Sequence, residues 1–402
     1  MLYPMEIALP SPPIPRARLG AVLGINQTLS WGMSFYLPAI LAGRASEGLH
    51  ASSSAILGAF SWALLISGAC APRVGHWIDR HGGRGALLTS IVVIAAGQMI
   101  LAAAPDVIVW FLGWTVIGVG MSMGLYDAAF ATVGGLLKQE AAPTITGITL
   151  VAGFASSVFW TLGSALIGPL GWRGLLLAYA GIMLLVNLPM VWLLVPPAPP
   201  RPRSAAIATP ADGSGHRPER LAVACLGGFF ALRWFITSAI AVHVLELIGG
   251  IGLTAAEAVS VAALIGPGQV AGRILEWTIG PRIDLLVKAR VAAMLFPLGA
   301  ALLLTAGWIG PLAAAILFVL LYGMSNGIMT INRGTLPLAL FGAEGYALML
   351  GWLAVPVQLG QALAPAVTAP VVATLTPLHV LLLAGATGAV AALLLFTLRL
   401  PR

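Results

Sequence analysis

Long apolar stretches separated by short polar breaks run along almost the whole chain. A membrane-crossing helix needs about 20 mostly apolar residues. Twelve stretches meet that need, and their continuity argues against the alternating pattern of a membrane β-barrel. The first six lie at 19–42, 52–74, 86–104, 107–136, 144–168 and 173–195. The second six lie at 221–248, 255–279, 289–308, 310–336, 345–373 and 377–398. Residues 1–18, with Pro10, Pro12, Pro13 and Pro15, read as a tail. The first apolar stretch has no basic region before a short core, so it does not read as a cleaved signal peptide. Residues 196–220 form the longest polar gap, rich in proline and arginine, and read as a linker between two halves. The fold class expected is an all-α membrane protein: twelve transmembrane helices in two six-helix bundles, 19–195 and 221–398, with 399–402 as a short tail.

Composition supports this reading. Apolar residues make up 59% of the 402 and charged residues 8%, and the mean hydropathy is +0.98. A soluble domain carries roughly 25% charge, so this chain cannot solvate its own surface. That excludes a water-soluble enzyme and a disordered protein as main readings. The net charge of +7 would point to nucleic acid in a soluble protein. Here the placement of the charges decides otherwise. With both termini inside, seventeen of the twenty Lys and Arg residues fall on the cytoplasmic side, while Arg44 and Arg173 fall outside and Arg233 lies within a span. Membrane proteins retain positive loops in the cytoplasm. The expected location is therefore the cell inner (plasma) membrane with both ends cytoplasmic, and no nucleic-acid partner. Cys70 and Cys225 both sit in apolar stretches, with no disulfide framework or zinc-ligand spacing. No metal and no cofactor are implied.

Three pieces of the first half recur in the second. Ala71-Pro72-Arg73 matches Ala271-Gly272-Arg273, Gly120-Met121-Ser122-Met123-Gly124 matches Gly323-Met324-Ser325-Asn326-Gly327, and Gly147 and Gly153 match Gly345 and Gly351. The offsets are 200, 203 and 198, which pair span 2 with 8, 4 with 10 and 5 with 11. Any single match is what chance gives among Gly- and Ala-rich helices. Three in order at one offset predict two parallel repeats about an axis along the membrane normal, an architecture of rocking transporters.

Between spans 2 and 3 stands Gly75-His76-Trp77-Ile78-Asp79-Arg80-His81-Gly82-Gly83-Arg84. Its glycines allow a tight turn at the membrane surface, and Asp79 needs a partner such as an arginine or a helix N-terminus. The run resembles the signature loop of the major facilitator superfamily, G-x-x-x-D-R-x-G-R-R. It matches at Gly75, Asp79, Arg80, Gly82 and Arg84 and departs at Gly83, where that family carries a basic residue. The resemblance implies gating roles for Asp79, Arg80 and Arg84. It places Asp79 near the cytoplasmic start of span 11, around Ala343 to Gly345. A plain topogenic loop is the alternative. Two other patterns of the family are broken: span 4 has Trp114 where an arginine would stand, and the antiporter glycines of span 5 are reduced to Gly168-Pro169-Leu170-Gly171. Both departures weigh against a proton–drug antiporter. The start of the chain, Thr28 to Pro38 with Trp31-Gly32, is similar to the monocarboxylate and oxalate/formate porter branch.

Ionisable groups inside spans are costly and mark function by default. Arg233 lies about 18 Å into span 7 at 1.5 Å per residue, close to the middle of a ~30 Å core. Its planar fork suits carboxylates. It is either the substrate-anion site or half of an ion pair. As an anion site it is expected to share a ligand with Asn26, Trp31, Tyr126 and Gln358. Asp127, in span 4, is either a proton carrier or the ion-pair partner of Arg233 or Arg333. Arg333 itself reads as snorkelling to the headgroups, and Arg273, aligned by the repeat with Arg73, reads as structural. His243 and Glu246 read as an interfacial polar pair. Polar residues such as Gln27, Thr28, Gln269, Asn326, Asn332 and Gln361 either line a wet cavity or hold helices together.

No Walker loop, nucleophile elbow, zinc-protease motif or dinucleotide fingerprint occurs. An enzyme is not expected, and transport without an ATP site is secondary. The leading function is alternating-access transport of a small organic anion such as a monocarboxylate, with protons as the candidate coupling ion, by a monomer in the lipid bilayer. The alternative is an efflux transporter for a toxic compound, a drug or a metalloid. A membrane sensor or membrane-embedded enzyme, expected to carry an added soluble domain, is the third reading.

Overall fold

The computed structural model describes residues 15–197 and 220–399. Most of the expected linker and tails lies outside these residues. Every regular element among the described residues is helical.

Span 1 is made of α1 (Arg16–Gly32) and α2 (Pro38–Gly48), separated by turns at 33–37. Span 2 is α3 (Ser53–His81) and span 3 is α4 (Gly83–Ala103). Span 4 comprises α5 (Val107–Gly124) and α6 (Tyr126–Leu137). Span 5 is α7 (Ala141–Ala152) and the first part of α8 (Ala155–Ile182). Span 6 is the remainder of α8, a π-helical turn at Met183–Asn187, and α9 (Leu188–Leu194). In the second half, α10 (Arg220–Gly249) is span 7, and α11 (Ala255–Ala263) with α12 (Ile265–Thr278) is span 8. Span 9 is α13 (Leu285–Leu302) with the short α14 (Ala306–Ile309). Spans 10 to 12 are α15 (Pro311–Phe341), α16 (Tyr346–Thr374) and α17 (Pro377–Phe396).

Ten helical stretches are long and apolar enough to cross a membrane unaided. One of these, Ala141–Leu194, folds back at Gly171, where φ is 66°, and so crosses twice. Span 1 escapes that count because its helix is broken. Twelve crossings result. The breaks have local causes: Gly171 adopts a left-handed backbone that glycine tolerates, and Asp106 and Asp284 each accept two backbone N–H bonds to start spans 4 and 9. Leu185 and Trp308 are 78% and 92% exposed, which suits contact with lipid chains.

The same neighbours meet in both halves. Spans 2 and 4 pack together as 8 and 10 do, 3 and 4 as 9 and 10, and 1 and 5 as 7 and 11. Lipid tails are as apolar as leucine, so close contact between small residues holds such helices together. Gly118 rests on the backbone of Ala63, and its counterpart contact sets Gly272 on the backbone of Met324.

The helix of span 2 also corrects the sequence reading. It continues to His81, and only Gly82, with φ 83°, turns the chain. Gly75 lies inside the helix, where its missing side chain serves packing rather than a turn.

Candidate functional site

The two halves meet most closely along α3 and α16, near the face that carries Arg80, Arg84, Arg282 and Lys288. Below, this is the basic face. Ala71 and Gly75 lie four apart on α3, and so share one stripe with Asp79. Gly75 lies against the backbone of Ala347, and Gly351 against that of Ala71 and Pro72. One turn beyond Gly75, Asp79 accepts from the backbone N–H of Ala347 at 3.3 Å and of Leu348 at 2.9 Å. These are first-turn donors of α16 that no carbonyl of that helix reaches. The helix end adds roughly half a positive charge beneath the carboxylate. The contact falls two to three residues beyond the stretch expected from the sequence. Farther along the stripe, Gln358 Nε2 donates to Ser67 Oγ at 3.3 Å, with Gly68 beneath its side chain. Arg80 is exposed and makes no hydrogen bond or ion pair across this seam among the described residues. Arg84 lines a small cavity beside the seam with Asp79, Ala343 and Ala347, and its Nη2 donates to the carbonyl of Trp192 near the end of α9.

A second link joins the halves beside this seam. Arg333 grips Asp127 with both arms of its fork, Nε to Oδ1 at 2.8 Å and Nη2 to Oδ2 at 2.6 Å. The guanidinium also lies 5.1 Å from the ring centre of Trp234. The expected snorkelling of Arg333 is therefore wrong. The Asp127 carboxylate across the seam supplies both acceptors, and bidentate pairing is the geometry an arginine prefers. Tyr346 closes the same region by donating to the Gly334 carbonyl at 2.7 Å.

Above these links, on the side away from the basic face, aromatic rings from the first half form a wall. Trp31 contacts Phe35 and Tyr126, each with ring centres 4.8 Å apart, and Tyr126 stacks on Phe130 at 5.2 Å. Tyr36 packs on Trp160. Arg273, from α12 in the second half, reaches into this wall. Its Nη1 lies directly over Gly153, at the end of α7, and its charge acts on the hydroxyls of both Tyr36 and Tyr126. Arg273 is 4% exposed, yet its Nε and Nη1 have no hydrogen-bond partner and it has no acidic partner among the described residues. The local sequence explains the direction. Gly268 and Gly272 turn one face of α12 onto α15, so the next residue, 100° around, faces α7. Side chains lean toward a helix N-terminus, and the N-terminal end of α12 points away from the basic face. Arg273 therefore extends into the protein instead of snorkelling out.

A family model described as the Major Facilitator Superfamily matches residues 21–365. The chain belongs to the major facilitator superfamily. Its fold is similar to that of the human organic anion transporter MFSD10 (TETRAN), with a TM-score of 0.74 at 17% identity, over 96% of this chain and 100% of that one. The proton:xylose symporter XylE, bound to 6-bromo-6-deoxy-D-glucose, gives 0.71 at 14% identity, over 95% of each chain. The E. coli fucose:proton symporter FucP gives 0.67 at 15% identity, over 94% of this chain and 98% of that one. No curated protein matches the sequence. The protein is thus a multi-pass member of a transporter superfamily.

Within this superfamily member, the sequence-expected site residues divide. Trp31 and Tyr126 are together. Asn26 is not with them: it is 1% exposed and donates to Asn187 Oδ1 at 3.0 Å inside the first half. Five residues separate Asn26 from Trp31, which rotates them about 140° apart on a helix. Gln27 links the two layers. Its Nε2 donates to Asn26 Oδ1 at 3.0 Å and to the Gly124 carbonyl at 2.7 Å, and its Oε1 accepts from Trp31 Nε1 at 3.2 Å. The Gly124 carbonyl lies where span 4 breaks, since Leu125 is extended (φ −81°, ψ −170°). Gln27 is among the polar residues expected to line a cavity or hold helices together; its place four residues before Trp31, on the same helix face, makes it a positioning residue. Gln27→Leu leaves this buried carbonyl and Asn26 short of a partner, a loss of about 1–3 kcal/mol. A lower thermal-unfolding midpoint in detergent is expected, and an unchanged midpoint counts against the assignment.

Arg233 is as deep as expected, but it faces its own half. It is 2% exposed and donates from Nη1 to Thr237 at 2.9 Å and from Nη2 to Ser325 at 3.2 Å and Asn326 at 2.9 Å. Phe296 and Tyr322 flank its guanidinium, each with the ring centre at 5.6 Å. All its hydrogen bonds among the described residues stay within the second half. Depth was legible from position; direction was not.

Proposed function

We propose that this protein is a secondary transporter that carries a small organic anion, a monocarboxylate in the first instance, across the plasma membrane by alternating access, and that Arg273 holds the anion's charge. One observation carries the reading: a buried guanidinium set between the halves, with no acidic partner among the described residues. Leaving a charge unpaired in a low-dielectric interior costs several kcal/mol. A carboxylate docking on it supplies the missing partner through charge-assisted hydrogen bonds. Trp31, Tyr36 and Tyr126 offer an apolar wall for the rest of a small organic acid. Arg233, behind Asn326 and Thr237, adds positive potential from a second layer, with Asn26 and Gln358 as supports and not contacts. Such a carrier binds and releases its substrate unchanged; it is not an enzyme.

The positive-inside bias assigns the basic face to the cytoplasm. The close contacts between halves fall toward that face, so this state opens outward. Asp79 on the first turn of α16 and the Asp127–Arg333 pair then act as cytoplasmic fasteners that release when the halves rock. Asp127 is also the candidate proton carrier, because proton uptake by its carboxyl weakens its grip on Arg333.

The test is uptake into proteoliposomes from a panel of mono- and dicarboxylates, a neutral sugar and a lipophilic cation, with and without a proton gradient. Saturable carboxylate uptake that other carboxylates compete for is the expected result. Preference for the sugar or the cation overturns the reading, the latter in favour of efflux of a toxic compound.

A further inference from the structure

A groove of about 580 Å³ opens on the outer surface of the first half, between α4 and the irregular part of span 6. Leu88 and Val92 form one wall, and Leu185, Leu188, Pro189 and Trp192 the other. The groove has a structural origin. The π-helical turn at Met183–Asn187 carries an extra residue in its turn, and Pro189 follows at once with no backbone N–H to give. Residues of both irregularities, Leu184, Leu185, Leu188 and Pro189, line the groove. Val92, Leu185 and Trp192 are 46%, 78% and 59% exposed. In a membrane span such surface faces hydrocarbon.

One end of the groove is charged. Arg84 stands one helical turn before Leu88 and two before Val92, so the three share a face of α4. From Arg84 to Val92 is about 12 Å at 1.5 Å per residue, which fits within the ~15 Å of one leaflet's hydrocarbon. The bond from Nη2 of Arg84 to the Trp192 carbonyl fixes the guanidinium beside the mouth of the groove. Arg84 stays partly exposed there, and its Nε has no hydrogen-bond partner among the described residues. The arginine at the matching place in the second half differs. Arg290, near the start of α13, donates from Nε to the Leu395 carbonyl at 3.2 Å and from Nη2 to the Leu398 carbonyl at 2.8 Å, and lies over Phe396. Arg290 commits two of its nitrogens to closing the end of α17, whereas Arg84 commits only Nη2, beside an open apolar slot.

We propose that this groove is a phospholipid site: one acyl chain lies between α4 and span 6, and an anionic headgroup phosphate sits on Arg84. The charge at the rim and the apolar slot leading from it, within one leaflet, match the two parts of that ligand. A zwitterionic lipid offers the same chain with no net charge to the arginine, so the site favours an anionic headgroup.

Native mass spectrometry of the full chain, released from detergent with equal amounts of dioleoyl phosphatidylglycerol and dioleoyl phosphatidylcholine, tests this. The wild type is expected to retain one phosphatidylglycerol several-fold over phosphatidylcholine. Arg84→Gln is expected to lose that preference. Leu188→Trp, which fills the slot and leaves the arginine in place, is expected to lose the retained lipid of either kind. Equal retention of the two lipids by the wild type overturns the proposal, as does wild-type retention by Leu188→Trp. The measurement involves no transport, so its outcome is independent of the substrate reading.

Discussion

Arg273→Ala is expected to abolish carboxylate uptake while leaving the protein folded. The two halves of that expectation have one cause. In the substrate-free protein the guanidinium is buried with Nε and Nη1 unpaired, so its removal takes away a desolvation cost and breaks no hydrogen bond. Stability in detergent is expected to hold or rise. In the substrate complex the same group supplies charge-assisted hydrogen bonds worth about 1.5–3 kcal/mol each. Losing one or two lowers affinity by roughly one to four decades. Arg273→Lys keeps the charge on a flexible stem but loses the planar fork, so weak, low-affinity uptake is expected to persist. Uptake assays paired with thermal unfolding read both quantities. Wild-type carboxylate transport by Arg273→Ala removes the anion site from this position.

Breaking the Asp127–Arg333 pair has the opposite signature. Either single replacement strands a charge in the seam: Asp127→Asn leaves Arg333, and Arg333→Gln leaves Asp127. For a buried pair the cost of a stranded partner is about 3–5 kcal/mol. The Asp127 side chain is 22% exposed, so water screens part of it, and about 2–3 kcal/mol is the expectation. The double variant Asp127→Asn/Arg333→Gln leaves no charge and should regain much of the loss. A coupling below about 0.5 kcal/mol in that cycle would show that the pair acts independently. The pair ties span 4 to span 10, so its loss also favours the state open to the basic face. Cysteine labelling of that vestibule should rise in both single variants. For Asp127→Asn, loss of proton-driven accumulation with exchange intact identifies coupling.

The twelve spans were legible because each is a run of apolar residues with polar ends, and the bilayer imposes its thickness on sequence. Asp79 was legible for a similar reason. An acid at a membrane surface needs a positive partner, and a helix start is one. Arg273 was not legible. The repeat aligns it with Arg73, and that residue is exposed at the basic face, so symmetry argued for a structural role. The two sites differ through residues far along the chain: Gly153, which leaves space for Nη1, and the tyrosines that surround it. Arg233 shows the converse. Its depth followed from counting residues, but the neutral cage of Thr237, Ser325 and Asn326 depends on three-dimensional neighbours. The irregular helix of span 6 was not legible: 173–195 reads as one continuous apolar run, and the π-helical turn at Met183–Asn187 appears only in the structure.

The seam between α3 and α16 has a mechanical consequence. Where Gly75 and Gly351 face it, main chain touches main chain, with no side chain to compress or rotate into another rotamer. An interface of that kind has little tolerance for partial separation. Dispersion attraction falls steeply over the first ångström of a gap, and the two N–H bonds to Asp79 weaken together with it. On the proposed gating role, the closed form is expected to behave as a latch with one engaged position. The population of half-shut molecules, through which solutes and ions would leak, stays small because the contact that closes the path has no intermediate geometry to occupy.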